Sequence, residues 1–167
     1  MKKPVIVDTN VPVVANGHTA QASIECQQAC LTELLEVQKA ELCLLDSAGA
    51  ILDEYLSQKP HGFPQGPGDL FFIWVYDNQA NPSRCARVKV TPLLNDRRMF
   101  AEFPDDPKLA GFDPADKKFV AVALASNFMP PILNAVDSDW REFKTLLATH
   151  NVWVRNLCPN DLKPAGR

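Results

Sequence analysis

Acidic residues scattered along this chain stand where chemistry could use them: Asp8, Asp116, Asp137, and one of the neighbours Asp53 and Glu54. Carboxylates gathered from distant segments suit hard divalent cations, which take oxygen ligands and leave positions open for water and phosphate. Such a cation neutralises charge on a phosphate and lowers the pKa of an attacking water, the two needs of phosphodiester hydrolysis. Without the cation the carboxylates would repel, and at least one would take up a proton. The expected chemistry is metal-dependent hydrolysis with Mg2+ or Mn2+.

Such a cluster forms only if the chain delivers its members to one place. Asp8 ends the apolar run Pro4-Val5-Ile6-Val7, whose β-branched residues mark a strand buried on both faces. Asp137 follows a second apolar run, 132–136, in the same way. In open α/β sheets ligands bind beyond the carboxyl ends of the strands, so both acids are expected at one sheet edge. Asp116 lies in the middle of the stripe formed by Phe119, Val120, Ala123 and Leu124 on a predicted helix, 113–126. A carboxylate on a buried stripe is costly unless it is paired or binds metal. Asp113-Pro114-Ala115-Asp116 also fits a helix start, and a first turn can both cap and coordinate. Asp53 and Glu54 lie equally far from the apolar centre of their helix, and periodicity does not choose between them.

The remaining chain supplies the scaffold. Residues 11–18 read as a loop. A helix over 20–39 carries Ile24, Leu31 and Leu35 on one face, with Cys30, Leu34 and Val37 beside them. A strand over 41–46 precedes a helix capped by Ser47 and running to about Gln58. Residues 59–69 form a Pro- and Gly-rich loop, 70–76 a strand or a short helix, and 87–91 a strand. A helix is expected over 95–103, a loop over 104–112, a helix over 140–149 and a last strand over 152–154. Strand and helix alternate throughout, which predicts one α/β domain over 1–167 with a mainly parallel sheet and helices on both faces.

Composition is that of an ordinary globular chain, 167 residues with 46% hydrophobic and 22% charged. Lys+Arg 17 against Asp+Glu 20 gives −3, which is no basic footprint for nucleic acid, although an acidic metal cluster weighs in that sum. The five cysteines (26, 30, 43, 85 and 158) form no CxxC pair; Cys26 and Cys30, four apart in a helical stretch, read as small buried apolar residues, and a reducing compartment is expected. Too few apolar residues precede Asp8 for a signal-peptide core, and no run reaches the ~18 residues of a membrane span. A cytoplasmic protein is expected.

These residues resemble the PIN-domain ribonucleases. Val7-Asp8-Thr9-Asn10 is similar to that family's first strand end. Glu54 in Ile51-Leu52-Asp53-Glu54-Tyr55 looks like its second acid, Asp116 before Lys117-Lys118-Phe119-Val120-Ala121 like its third, and Asp137 in Val136-Asp137-Ser138-Asp139-Trp140 like its fourth. Ala135 stands where the family often has Thr or Ser, and 59–87 is longer than in the small toxin members. The resemblance implies a three-layer α/β/α sandwich and an endoribonuclease acting on single-stranded or looped RNA. Asp8 and Asp116 would ligate the cation directly, Asp137 and Glu54 directly or through water, and Asp139 is a further candidate. Thr9 and Asn10 would orient those ligands.

Phosphate contacts are expected from Lys117, Lys118, Arg141, Arg97 or Arg98, and base stacking from Trp74 or from Trp140, which could equally pack against its own sheet. An antitoxin-type protein and a second copy of the chain are the partners implied. The alternative is a non-catalytic module of the same fold that binds RNA or protein. A haloacid-dehalogenase-type phosphatase would need a second Asp where Asn10 stands, and there is no P-loop.

Overall fold

Val5, Ile6 and Val7 are almost wholly buried, the condition of a strand covered on both faces. The strand they form, β1 (Lys3–Val7), is central in a five-stranded sheet. A computed structural model describes residues 1–58, 62 and 64–162. After β1 come α1 (Asn10–Ala15), α2 (Ile24–Ala40), β2 (Glu41–Asp46), α3 (Ala50–Gln58), α4 (Pro67–Asn78) and β3 (Cys85–Val88). Then follow α5 (Lys117–Ala125), β4 (Pro131–Asn134), α6 (Ser138–Glu142), α7 (Lys144–Thr149) and β5 (Trp153–Asn156).

The strand order is β3-β2-β1-β4-β5, and every pairing is parallel. The chain therefore winds outward from β1 to β3, then crosses back to β4 and winds the other way. Right-handed crossovers put the helices of the two halves on opposite faces, giving a three-layer α/β/α sandwich. Helices α1, α2 and α4 pack on one another, α5 lies across β1, β2 and β4, and α6 and α7 pack by β5. The expected fold class holds, with a sheet that is wholly parallel.

Several local expectations are corrected. Of the loop expected over 11–18 only 16–18 lies outside a helix: residues 11–15 belong to α1, and Pro12 sits in its first turn, where a missing N–H costs nothing. Helix α2 starts at Ile24 because the Ser23 side chain caps it by accepting from Cys26 N at 3.1 Å. It buries Cys26, Cys30, Leu34 and Val37, while Ile24 and Leu35 face solvent. Asp46, not Ser47, caps α3, accepting from the backbone N–H groups of Ala50 and Ile51 at 2.9 and 2.8 Å. The aromatic run 70–76 lies within helix α4, and the strand expected over 87–91 is Cys85–Val88. No helix forms over 95–103. Asn95 and Met99 adopt left-handed φ of 56 and 64°, and Pro92 bridges Phe100 in antiparallel fashion.

Part of the loop expected over 59–69, and with it His61, lies outside the described residues. The segment beyond it clamps the helix that follows Asp8. A Cβ on Gly68 would stand 1.8 Å from Pro12 O, so only glycine lets α4 approach α1 this closely. Buried Asp69 seals the contact, accepting from Asn16 Nδ2 at 3.0 Å and from Gln65 N at 2.8 Å.

The cysteines are all buried, Cys26 and Cys30 as expected, but Cys26 is bonded rather than free. A Cys26–Cys158 disulfide spans 132 residues and ties α2 to the segment after β5. Cysteine usage therefore gives no ground for a reducing compartment. Among the described residues no helix is long and apolar enough to cross a membrane.

Candidate metal centre

The reversal of strand order falls between β1 and β4, the position where doubly wound sheets open a crevice. Val7 pairs with Leu133, and the Asp8 N–H donates to Leu133 O at 3.1 Å, so Asp8 leaves the sheet beside the end of β4. Asp137 stands three residues beyond β4 as the N-cap of α6, its carboxylate accepting from Asp139 N at 2.9 Å. Asp116 closes a 3-10 turn, Pro114–Asp116, that feeds directly into α5. Carboxylate oxygens of Asp8, Asp116 and Asp137 lie within 4.8 Å of one another. A second trio, Asp113, Asp116 and Asp139, meets the same limit and shares Asp116.

Asp8 is held from three directions. One oxygen accepts from the backbone N–H of Asn10 at 2.7 Å and from its side-chain amide, the other from Trp140 Nε1 at 2.7 Å. Burial raises its carboxyl to about 6; the bonds from Asn10 and Trp140 oppose that rise, and nearby Asp137 adds to it. Asp116 is less well served. Its Oδ2 is buried with no hydrogen-bond partner among the described residues. Burial first, then the charges of Asp8, Asp137 and Asp113, push its carboxyl up to about 9. Asp137 is raised chiefly by burial, with Asp139 and Asp113 adding repulsion, while the Asp139 N–H and a side-chain hydrogen bond with Asp116 oppose the rise.

The orphaned Asp116 oxygen is the test of fit. A buried carboxylate oxygen with no donor carries an uncompensated desolvation cost, which a cation would remove. The donor set, all carboxylate oxygen, is the chemistry of Mg2+ or Mn2+ rather than of a thiophilic metal. A third cluster, Cys26, Cys30 and Cys158, lacks that fit: two of its sulfurs are joined to each other, and burial raises the Cys30 thiol to about 12.

Asn10 does more than orient Asp8. Its Oδ1 accepts from Ala135 N and Val136 N at 2.8 and 3.2 Å, and its Nδ2 also donates to Asn134 Oδ1 at 3.0 Å. Asn134, fully buried at the end of β4, accepts from Asp137 N and donates to Asp137 O and Asn156 Oδ1. The two asparagines bracket the strand ends that carry Asp8 and Asp137. Sequence reasoning missed Asn134, although an amide within an apolar strand just before an acid was a readable signal. It also missed Asp113 as part of the cluster, having read it only as a cap; it does cap, accepting from Ala115 N at 2.9 Å.

Other expected members lie elsewhere. Glu54 is absent from both trios; it accepts from Thr9 Oγ1 and forms an ion pair with Lys118. Thr9 thus braces Glu54, and Asp53 is exposed. Lys117 and Lys118 are buried at 6 and 7% exposure, so neither offers the phosphate contact expected of it. The Lys117 ammonium donates to Arg97 O and lies over the Phe103 ring, while Lys118 donates to Ala115 O as well as pairing with Glu54. Arg97 pairs with Asp105, Arg98 with Asp96, and Arg141 donates to Leu162 O at 2.9 Å. Trp140 is fully buried and cannot stack on a base; Trp74 is half-buried and stacked on Phe71.

Compared with models of known protein families, with characterised proteins and with solved structures, the chain matches none.

Proposed function

We propose that this chain is a divalent-cation-dependent phosphodiesterase acting on RNA, an endoribonuclease using Mg2+ or Mn2+ at Asp8, Asp116 and Asp137. The observation that carries the reading is the Asp116 Oδ2 atom, buried without a donor inside a trio of carboxylates. Proteins retain such a cost where function requires it, and perturbed carboxyls in a crevice mark candidate functional sites. Asp139 and Asp113 would add carboxylate charge beside the cation through the trio they form with Asp116. A bound cation would supply charge neutralisation at the phosphate and a more acidic attacking water. The chain's own contribution is positional: Trp140 and Asn10 fix the Asp8 carboxylate, and Asn134 fixes the turn that presents Asp137.

RNA, rather than a small phosphate ester, is the substrate to which the PIN-type resemblance points. The cytoplasm is the location that such a substrate implies. The test is cleavage of a panel of single-stranded and hairpin RNAs with Mg2+, Mn2+ or chelator, comparing wild type with Asp116→Asn. Cation-dependent cleavage lost in the variant is the expected result. No Mn2+ binding and no cleavage by the wild type would overturn the reading.

A second reading keeps the fold and drops the catalysis. Internal engagement of Lys117 and Lys118 leaves little basic surface beside the cluster, which favours a binding module. Mn2+ binding without cleavage of any RNA in the panel would select it.

A further inference from the structure

An open cleft of about 350 Å³ adjoins the carboxylate cluster, lined by α1, residues near 19–21 and the turn that carries Asp137. Asp137 belongs both to this lining and to the first carboxylate trio, so an occupant of the cleft abuts the proposed cation position. The volume is at the lower end of the ~300–1,000 Å³ typical of small-ligand pockets, enough for one nucleotide unit.

Its walls are of two kinds. Val13, Val14 and Val136 are apolar, while Thr19, Gln21 and Ser138 bring polar atoms. Asn10 also lines the cleft, but its side-chain amide is spent on Asp8, Asn134, Ala135 and Val136. Gln21 is different: its Nε2 donates to Val136 O at 3.2 Å, which pins the carboxamide at the cleft. Its Oε1 atom and the hydroxyls of Thr19 and Ser138 make no hydrogen bond among the described residues.

Apolar walls with a few convergent donors and acceptors suit a flat ring whose edge carries hydrogen-bonding groups. The carboxylates alongside disfavour an anionic group in the cleft itself, so the phosphate belongs on the cation and the neutral base in the cleft. Resting on the reading of RNA cleavage at Asp8, Asp116 and Asp137, we infer that this cleft takes the nucleobase of a nucleotide flanking the scissile phosphate. Val13 packs on its face, and Gln21 and Thr19 select among the bases.

Nucleosides, which lack the phosphate, separate this inference from the reading it rests on. Adenosine, cytidine, guanosine and uridine are titrated into metal-free protein and followed by amide NMR, while Mn2+ binding is measured in parallel by electron paramagnetic resonance. Shifts at Thr19, Gln21 and Ser138 are expected, with affinities differing at least ~5-fold among the four. Val13→Phe, which fills the cleft, should weaken every nucleoside at least ~10-fold, and exposed Gln21→Ala should level the four affinities; both should leave Mn2+ binding unchanged. Nucleoside binding equal in wild type and both variants, or absent from a protein that binds Mn2+, overturns the cleft and leaves the cation reading standing. Nucleoside binding lost in Val13→Phe, in a protein that binds no Mn2+, supports the cleft and overturns the cation reading. Neither kind of binding overturns both.

Discussion

The indole N–H of Trp140 donates to Asp8 Oδ2 at 2.7 Å across a sequence separation of 132 residues, in a site buried from solvent. Asp8 directly follows β1 and Trp140 lies in α6, so the bond also couples the two halves of the doubly wound sheet. Trp140→Phe keeps most of the ring and deletes the donor. The expected loss is about 2–4 kcal/mol by urea unfolding, the sum of a hydrogen bond to a charged group and a small cavity. The Asp8 carboxyl should rise further, so Mn2+ affinity should fall more at pH 6 than at pH 8. An unchanged affinity at both values would deny the indole its positioning role.

Asp116→Asn should separate stability from function. In chelator at pH 8 the variant is expected to melt at a higher temperature than wild type, because a neutral amide escapes the cost of a crowded buried carboxylate. Mn2+ affinity and cation-dependent cleavage should both fall at least ~100-fold. A lower melting temperature together with intact Mn2+ binding would remove Asp116 from the cluster.

The pH dependence of stability has a definite sign. Asp116 titrates near its ordinary 3.8 when unfolded and about 9 when folded, and Asp8 about 6 when folded. Below the unfolded value both states hold the proton and there is no penalty. Between the two values the folded state holds more protons, so metal-free stability falls as pH rises, and the loss is complete only above about 9. Melting in chelator between pH 5 and pH 9 should show this decline. Added Mn2+ should flatten it, by stabilising the folded form most at high pH.

Glu54 and Lys118 should behave as a structural pair. Their side chains are 27 and 9% exposed, so Glu54→Gln leaves a nearly buried ammonium short of its counter-ion. A cost of about 1–3 kcal/mol is expected, discounted for the partly exposed carboxylate, and Glu54→Gln/Lys118→Met should recover part of it. Mn2+ affinity should stay within ~3-fold of wild type, since Glu54 lies outside both carboxylate trios. A loss comparable with that of Asp116→Asn would return Glu54 to the cation.

Reduction of Cys26–Cys158 opens a loop of more than a hundred residues. The expected cost is about 2–4 kcal/mol, or roughly 5–15 °C in Tm for a chain of this size, read by melting with and without dithiothreitol. An identical Tm in both conditions would argue that the bond does not form in solution.

What could be read from sequence was whatever depends on local pattern. The buried run before Asp8, the alternation that builds a parallel sheet and the misplaced carboxylate of Asp116 all follow from apolar spacing. What could not be read depends on partners supplied from afar. Lys118 looked like a surface cation until α3 brought Glu54 to it, and Trp140 like a stacking platform until α6 turned it onto Asp8. Val-Pro-Val-Val after Asn10 reads as a loop because it lacks a helical apolar period, yet packing against α2 and α4 makes it α1. Cys26 and Cys158 carried no spacing signal at all, since only the closed fold sets them side by side.

The order of the strands also bears on how the chain emerges from the ribosome. Strand β1 is synthesised first but lies between β2 and β4, and it waits for β4 until more than 120 further residues have been added. A nascent chain gains Asp137 more than 120 residues after Asp8. If the protein cuts RNA, its messenger is spared until the stretch through Asp137 has been made, because no shorter product holds the full trio of carboxylates.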